Sequence, residues 1–184
     1  MGEGGAEDLR VIERCLGGDV EAFATLVGSY QRQLFWGIYH RVRNYEDAQE
    51  LSQIVFLKIF QNLGSFDPDR PFFSWAYRIA MNESSNFLRG RHPVEALPEN
   101  AEPASNGPDP AQFMEMDERS REIHAAVHAL PAKYREPVIL CHFLQLSYED
   151  AALSLELPVA TLKSRLFAAR TQLRSLLKAH GHAS

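Results

Sequence analysis

The chain has 184 residues, 45% of them hydrophobic and 23% charged, the composition of a folded globular protein and not of a disordered one. At roughly 100–200 residues per domain, that length allows one ordinary domain or two small ones. Lysine and arginine total 19 against 24 aspartates and glutamates, and the net charge of −5, taken whole, argues against a nucleic-acid partner.

The sequence reads as helices joined by turns. Met1 to Asp8 is acidic and glycine-rich, the wrong sign for a signal peptide. Leu9, Val11, Ile12, Cys15 and Leu16 form a short apolar face that Gly17-Gly18 ends. Asp19 is placed to cap the next helix, which carries Phe23, Leu26, Val27, Tyr30, Leu34, Ile38 and Val42 at spacings of three and four. A third helix is predicted from about Tyr45 to Leu63, with Ala48, Leu51, Val55 and Ile59 on one stripe. Gly64 to Pro71 is loop by composition, and a fourth helix follows from Phe72 to about Arg89. Its aromatics Phe72, Phe73, Trp75 and Tyr77 stand at helical spacing and read as core before they read as a stacking platform.

Composition then changes. Between His92 and Ala111 lie Pro93, Pro98, Pro103, Pro108 and Pro110 with Glu95, Glu99, Glu102 and Asp109, a linker without apolar periodicity. Helical pattern resumes near Phe113. Leu130-Pro131 breaks it, and Pro137 is expected in the first turn of a helix that starts near Lys133 or Tyr134. The fold class is therefore all-α: two small helical domains, 1–92 and 113–184, joined by a flexible acidic linker, 93–112. No run of 18 apolar residues occurs, so membrane insertion is not expected. The two cysteines, Cys15 and Cys141, are too few for a disulfide framework and fit a reducing cytoplasm.

Divided by region, the charge reads differently. Residues 1–92 carry 10 basic and 12 acidic side chains, residues 93–129 carry 2 and 8, and residues 130–184 carry 7 and 4. The acidity sits largely in and around the linker, and the last helix, Pro158 to Lys178, has Lys163, Arg165, Arg170, Arg174 and Lys178 with no acid. Ser147-Tyr148-Glu149-Asp150 opens the short helix before it, with a capping hydroxyl and carboxylates near the positive end of the helix dipole. A turn at Glu156-Leu157 and then Pro158 give helix-turn-helix spacing. At about 100° per residue, Leu162, Leu166, Ala169, Leu173 and Leu176 share the core face. Lys163, Phe167, Arg170 and Arg174 fall on a neighbouring stripe. Cations around an aromatic on the second helix suit a major-groove reader, since they bond guanine edges or phosphates and the ring meets a thymine methyl. Phe167 taken alone is equally well read as packing against a neighbour.

These residues resemble a known family. Leu130-Pro131, Ser147 to Ala152, Thr161 to Leu166 and Ala169-Arg170 look like the fourth conserved region of bacterial sigma factors. Asp47 to Gln53 with Phe56, and Phe73 to Asn82 with Arg89, look like the second region. A chain with only these two regions resembles the extracytoplasmic-function group of the sigma-70 family. The resemblance implies a promoter-specificity subunit that binds core RNA polymerase, recognises −35 and −10 elements of promoter DNA and helps to melt it, and that is commonly held by an anti-sigma factor. It implies polymerase contacts at Asp47, Gln49, Glu50 and Gln53 as exposed positions of the third helix, with Ile54 where an acidic residue is usual. It implies −10 contacts at Arg78, Asn82, Glu83, Ser84, Ser85, Asn86 and Arg89, and −35 contacts at Thr161, Lys163, Ser164, Arg165, Phe167, Arg170 and Arg174. Arg165 falls beside the core face, which favours phosphate over base. Ala168 stands where relatives commonly have arginine.

The linker suits this division of labour: about 20 residues extend to roughly 65 Å, and two turns of DNA cover about 70 Å. His124 and His128 share a helix face and Cys141-His142 follow, but no zinc-motif spacing fits, so no metal or cofactor is expected. No nucleophile–base pair or phosphate-cradling glycine loop stands out, and the chain reads as non-catalytic. A stand-alone helix-turn-helix regulator with a helical sensor or dimerisation domain is the competing reading.

Overall fold

The computed structural model describes residues 3–91 and 118–181. The predicted linker and the start of the predicted second domain, 113–117, lie outside the described residues. Those described are helical, without strands: α1 (Glu3–Leu16), α2 (Phe23–Val42), α3 (Tyr45–Gln61), α4 (Phe72–Arg91), α5 (Glu118–His128), α6 (Ala132–Val138), α7 (Tyr148–Ser154) and α8 (Val159–Gly181). The chain divides into two compact units, residues 1–42 with 46–93, and residues 43–45 with 94–184. Among the described residues no helix is long and apolar enough to cross a membrane.

In the first unit, α1 ends where Gly18 takes φ +100°, a conformation that favours glycine. Asp19 caps the short 3-10 turn Val20–Ala22, accepting from the Ala22 N–H, and also binds Arg14 at 2.6 Å. The core is drawn from all four helices: Val11 and Ile12 of α1, Leu26, Leu34 and Ile38 of α2, Ala48, Leu51, Val55 and Ile59 of α3, and the aromatic start of α4. Phe72, Phe73, Trp75 and Tyr77 are all buried, as their helical spacing predicts. Rings extend this core outward, with Phe66 edge-on to Phe72 and Trp75 and Phe23 edge-on to Phe56 and Phe60.

Two contacts fix the helices against each other. A Cβ on Gly37 of α2 would lie 2.7 Å from Cε2 of Tyr77, so α2 and α4 meet where α2 has no side chain. The Tyr30 hydroxyl of α2 donates to the Asp8 carboxylate of α1 at 2.5 Å. Burial raises the pKa of both groups; Tyr30 lowers that of Asp8 in part, whereas the carboxylate raises that of Tyr30 further.

In the second unit, α6 starts at Ala132 with Pro131 as its cap, so Pro137 is its sixth residue and not in its first turn. A proline ring at that depth displaces the carbonyl four residues back and supplies no N–H. The helix continues as a π-turn, Ile139–Phe143, in which the Leu144 N–H reaches the Ile139 carbonyl at 3.0 Å. Val138, Ile139, Leu140, Cys141 and Leu144 join Ala126, Val127 and Leu130 of the preceding segment and Leu162, Leu166 and Ala169 of α8 among the buried residues. Leu173 and Leu176, predicted for the core face, are only half-buried. Among the described residues the fully buried stripe of α8 stops at Ala169.

Gly37→Ala should cost about 1–3 kcal/mol despite alanine's better helix propensity, since the added methyl meets a ring with no room to move. Urea unfolding measures it. Tyr30→Phe removes the hydroxyl donor of a partly buried carboxylate and should cost about 1–3 kcal/mol at neutral pH. Because the folded-state pKa of Asp8 lies above 3.8, the folded chain takes up this proton before the unfolded chain does, and the Tyr30→Phe penalty should shrink as pH falls through that window. A penalty constant down to pH 3 would contradict this.

Candidate nucleic-acid interface

The residues expected to meet DNA or a protein partner fall on three helices. On α3, Gln49, Glu50 and Gln53 are exposed, as predicted, and Ile54 is 37% exposed. Asp47 is not on that face: at 8% exposure it points into the fold. The correction follows from phase, because Asp47 shares its turn with the core positions Ala48 and Leu51. Sequence reasoning missed Leu57, which is 57% exposed one turn beyond Gln53 and Ile54. Its i+4 and i+3 spacing from that pair was the available signal.

On α4 the inner half is aromatic core and the outer half polar. Asn82, Asn86 and Arg89 are exposed and line one stripe, with an Arg89 guanidinium N–H donating to the Asn86 side-chain oxygen at 2.5 Å. Arg78 and Ser85 are half-buried. The Ser85 hydroxyl donates to the Met81 carbonyl and accepts from Arg41. Two of the predicted −10 residues are placed otherwise. Ser84 is fully buried and its hydroxyl donates to the Ala80 carbonyl at 2.8 Å, so it presents nothing to a base. The carboxylate of Glu83 lies 2.6 Å from Nζ of Lys58 on α3 and is already engaged. Lys58 is a second residue that sequence reasoning passed over, since no local pattern joins α3 to α4.

The helix-turn-helix is built as its sequence predicts. The Ser147 hydroxyl accepts from the Asp150 N–H at 3.0 Å and lies 2.7 Å from the Asp150 carboxylate, which starts α7. Glu156 turns the chain at φ +54°, the Leu157 N–H returns to the Ala152 carbonyl, and the Pro158 carbonyl accepts the Leu162 N–H at 3.0 Å. Pro158 is thus the cap of α8, one residue before the position predicted for it. Leu162, Leu166 and Ala169 are buried at 0%, 2% and 0%, which turns Lys163, Ser164, Arg170 and Arg174 to solvent. Thr161 and Arg165 are half-buried, Arg165 beside the core face as expected.

Phe167 settles the question its residue type left open. It is 74% exposed, an aromatic ring held outward among Lys163, Arg170 and Arg174. Lys163 places Nζ 5.8 Å from the ring centre of Tyr148, the first residue of α7, which steadies the lysine across the turn. The arrangement offers cations and one apolar plane along a single helix face, with no acid between Val159 and Gly181.

Known proteins share both halves of the chain. Residues 26–93 match the family model for sigma-70 region 2, and residues 120–173 match that for sigma-70, region 4. The chain is 35% identical over 182 residues to the RNA polymerase sigma-H factor of Pseudomonas aeruginosa, covering 94% of each chain. It is 30% identical over 171 residues to the extracytoplasmic-function sigma factor SigW of Bacillus subtilis, covering 88% of this chain and 91% of that one. Among solved structures it resembles CnrH in complex with the cytosolic domain of CnrY, with a TM-score of 0.72, 25% identity and 92% and 96% of the two chains covered. The sigma factor RpoE bound to the anti-sigma factor NepR from Bartonella quintana gives a TM-score of 0.63 at 25% identity, over 85% and 96%.

The outward setting of Phe167 is open to a stability test. Phe167→Ala should leave stability within about 0.5 kcal/mol of the parent, whereas Leu166→Ala, one residue away, should cost about 2–5 kcal/mol. Comparable losses at both positions in thermal unfolding would place the ring in the core.

Proposed function

The chain belongs to the extracytoplasmic-function group of the sigma-70 family and is a promoter-specificity subunit of RNA polymerase, and on that premise we propose how its surfaces divide the promoter. The observation that carries the reading is α8: an acid-free helix, second in a helix-turn-helix, with Phe167 exposed in a row of cations. Laid in the major groove at −35, it sets Lys163, Phe167 and Arg170 toward base edges. Thr161, Ser164, Arg165 and Arg174 bond phosphates, fixing register without reading sequence.

α4 takes the −10 element. Asn82 and Asn86 carry both donors and acceptors and suit base edges once the strand is unstacked, while Arg78 and Arg89 hold its phosphates. Opening a base pair costs a few kcal/mol, and the first unit has no excess of basic residues to supply it. The polymerase does so, docked on the Gln49, Glu50, Gln53, Ile54 and Leu57 face of α3, where Leu57 and Ile54 add apolar contact to a polar surface. Residues 93–112 act as the tether between the two DNA contacts. The chain contributes recognition, and bond formation belongs to the polymerase. A relative bound to an anti-sigma factor supports the same kind of partner here.

Run-off transcription with core polymerase and a promoter pool tests the reading. The chain should direct initiation from a subset of promoters, and should bind duplex DNA weakly without polymerase. Lys163→Ala should lower initiation by about tenfold to a hundredfold if it reads a base, since a good base contact is worth about 1–3 kcal/mol. Arg174→Ala should act evenly across sequences and reduce the salt slope by about one. Tight, specific duplex binding by the chain alone, with no initiation, would instead establish a stand-alone regulator.

A further inference from the structure

α4 is cationic by composition. Between Phe72 and Arg91 it carries Arg78, Arg89 and Arg91, and Glu83 is its one acidic residue. Glu83 adjoins Asn82, on the stretch that meets the opening strand, and a free carboxylate there works against a polyanion. The fold does not leave it free. Lys58 reaches over from α3 and sets Nζ 2.6 Å from the Glu83 carboxylate, whose side chain keeps 17% of its exposure against 42% for the lysine. The acid is covered and the cation faces water.

A half-exposed ion pair of this kind does little for folding, because water and salt screen it. What it changes is the field outside the helix. We propose that Lys58 is a positioning residue for promoter opening: it reaches across to α4 and neutralises its single carboxylate, so that the exposed stripe of Asn82, Asn86 and Arg89 meets the phosphates of the melted strand with no unpaired negative charge beside it. The lysine acts through Glu83 and does not touch DNA. The proposal rests on the reading of α4 as the −10 helix. α8 reaches the same condition by having no acid at all, and α4 reaches it by pairing the one acid it has.

The test uses holoenzyme assembled from the full chain and core polymerase, on a promoter that the parent opens in run-off transcription. Lys58→Ala, Glu83→Gln and the double variant are compared for open-complex formation across a salt series and for affinity toward core polymerase. Lys58→Ala uncovers the carboxylate and should lower open-complex formation about threefold to tenfold near 0.1 M salt, with the loss shrinking as salt rises. Glu83→Gln should match the parent or exceed it slightly. The double variant should recover to within about twofold of the parent, and core affinity should stay level throughout.

Three results overturn the proposal. A double variant as weak as Lys58→Ala, with a log–log salt slope shallower by about 0.7–0.9, makes Lys58 a phosphate contact. A marked loss in Glu83→Gln alone makes Glu83 a base reader. A loss of core affinity in Lys58→Ala that Glu83→Gln does not repair places Lys58 in the docking surface. If the parent opens no promoter at all, the −10 reading of α4 falls, and the Lys58 proposal with it; the other three results leave that reading standing.

Discussion

The first unit hangs on a missing side chain. Gly37 lets α2 approach α4 until the ring of Tyr77 occupies the space where a Cβ would be. That contact sets the rotation of α4 about its axis. With Tyr77 and Trp75 turned in, the period of 3.6 residues leaves Asn82, Asn86 and Arg89 outward and buries Ser84. The chemistry on the outside of the helix is placed by aromatic packing on the inside, and the strength of one side fixes the geometry of the other. The same division appears in α8, where Leu162, Leu166 and Ala169 fill the core and so aim Lys163, Phe167 and Arg170 at solvent.

Much of this was legible in the sequence, and the parts that were share a cause. Helix starts at Asp19 and Ser147 are local: a side-chain oxygen meets the N–H three residues on, and both ends of the bond are visible in one short stretch. The buried stripes of α3 and α8 are periodic, and the aromatic start of α4 reads as core from spacing alone. The charge of the last helix emerged once the chain was divided by region, since the average had hidden it beneath the acidic residues around the linker.

What sequence reasoning misplaced depends on contacts between helices. Asp47, Ser84 and Glu83 are polar residues in motifs that match a family, and the match says nothing of which way each one points. Asp47 and Ser84 point inward, and Glu83 is taken up by Lys58, 25 positions earlier in the chain. Leu173 and Leu176 differ in the opposite sense: the apolar period continues along α8 beyond Ala169, but these two side chains are only half-buried. Pro137 illustrates a third kind of difference. A proline is expected near a helix start, and here it is the sixth residue of α6, buried within the helix.

The π-turn at Ile139–Phe143 has a consequence for how α8 is reached. A π-turn is a helix holding one residue more than its length requires, and each surplus residue advances everything after it by about 100°. The Ser147 cap, α7, the turn at Glu156 and α8 all lie downstream of Ile139–Phe143. The extra residue therefore shifts where the chain leaves α6, and the packing of Leu162, Leu166 and Ala169 then fixes how α8 lies on it. A chain shorter by a single residue between Pro137 and Leu144 would close that segment as ordinary α-helix and turn the exit toward Ser147 by about 100°, against the packing that holds α8 in place.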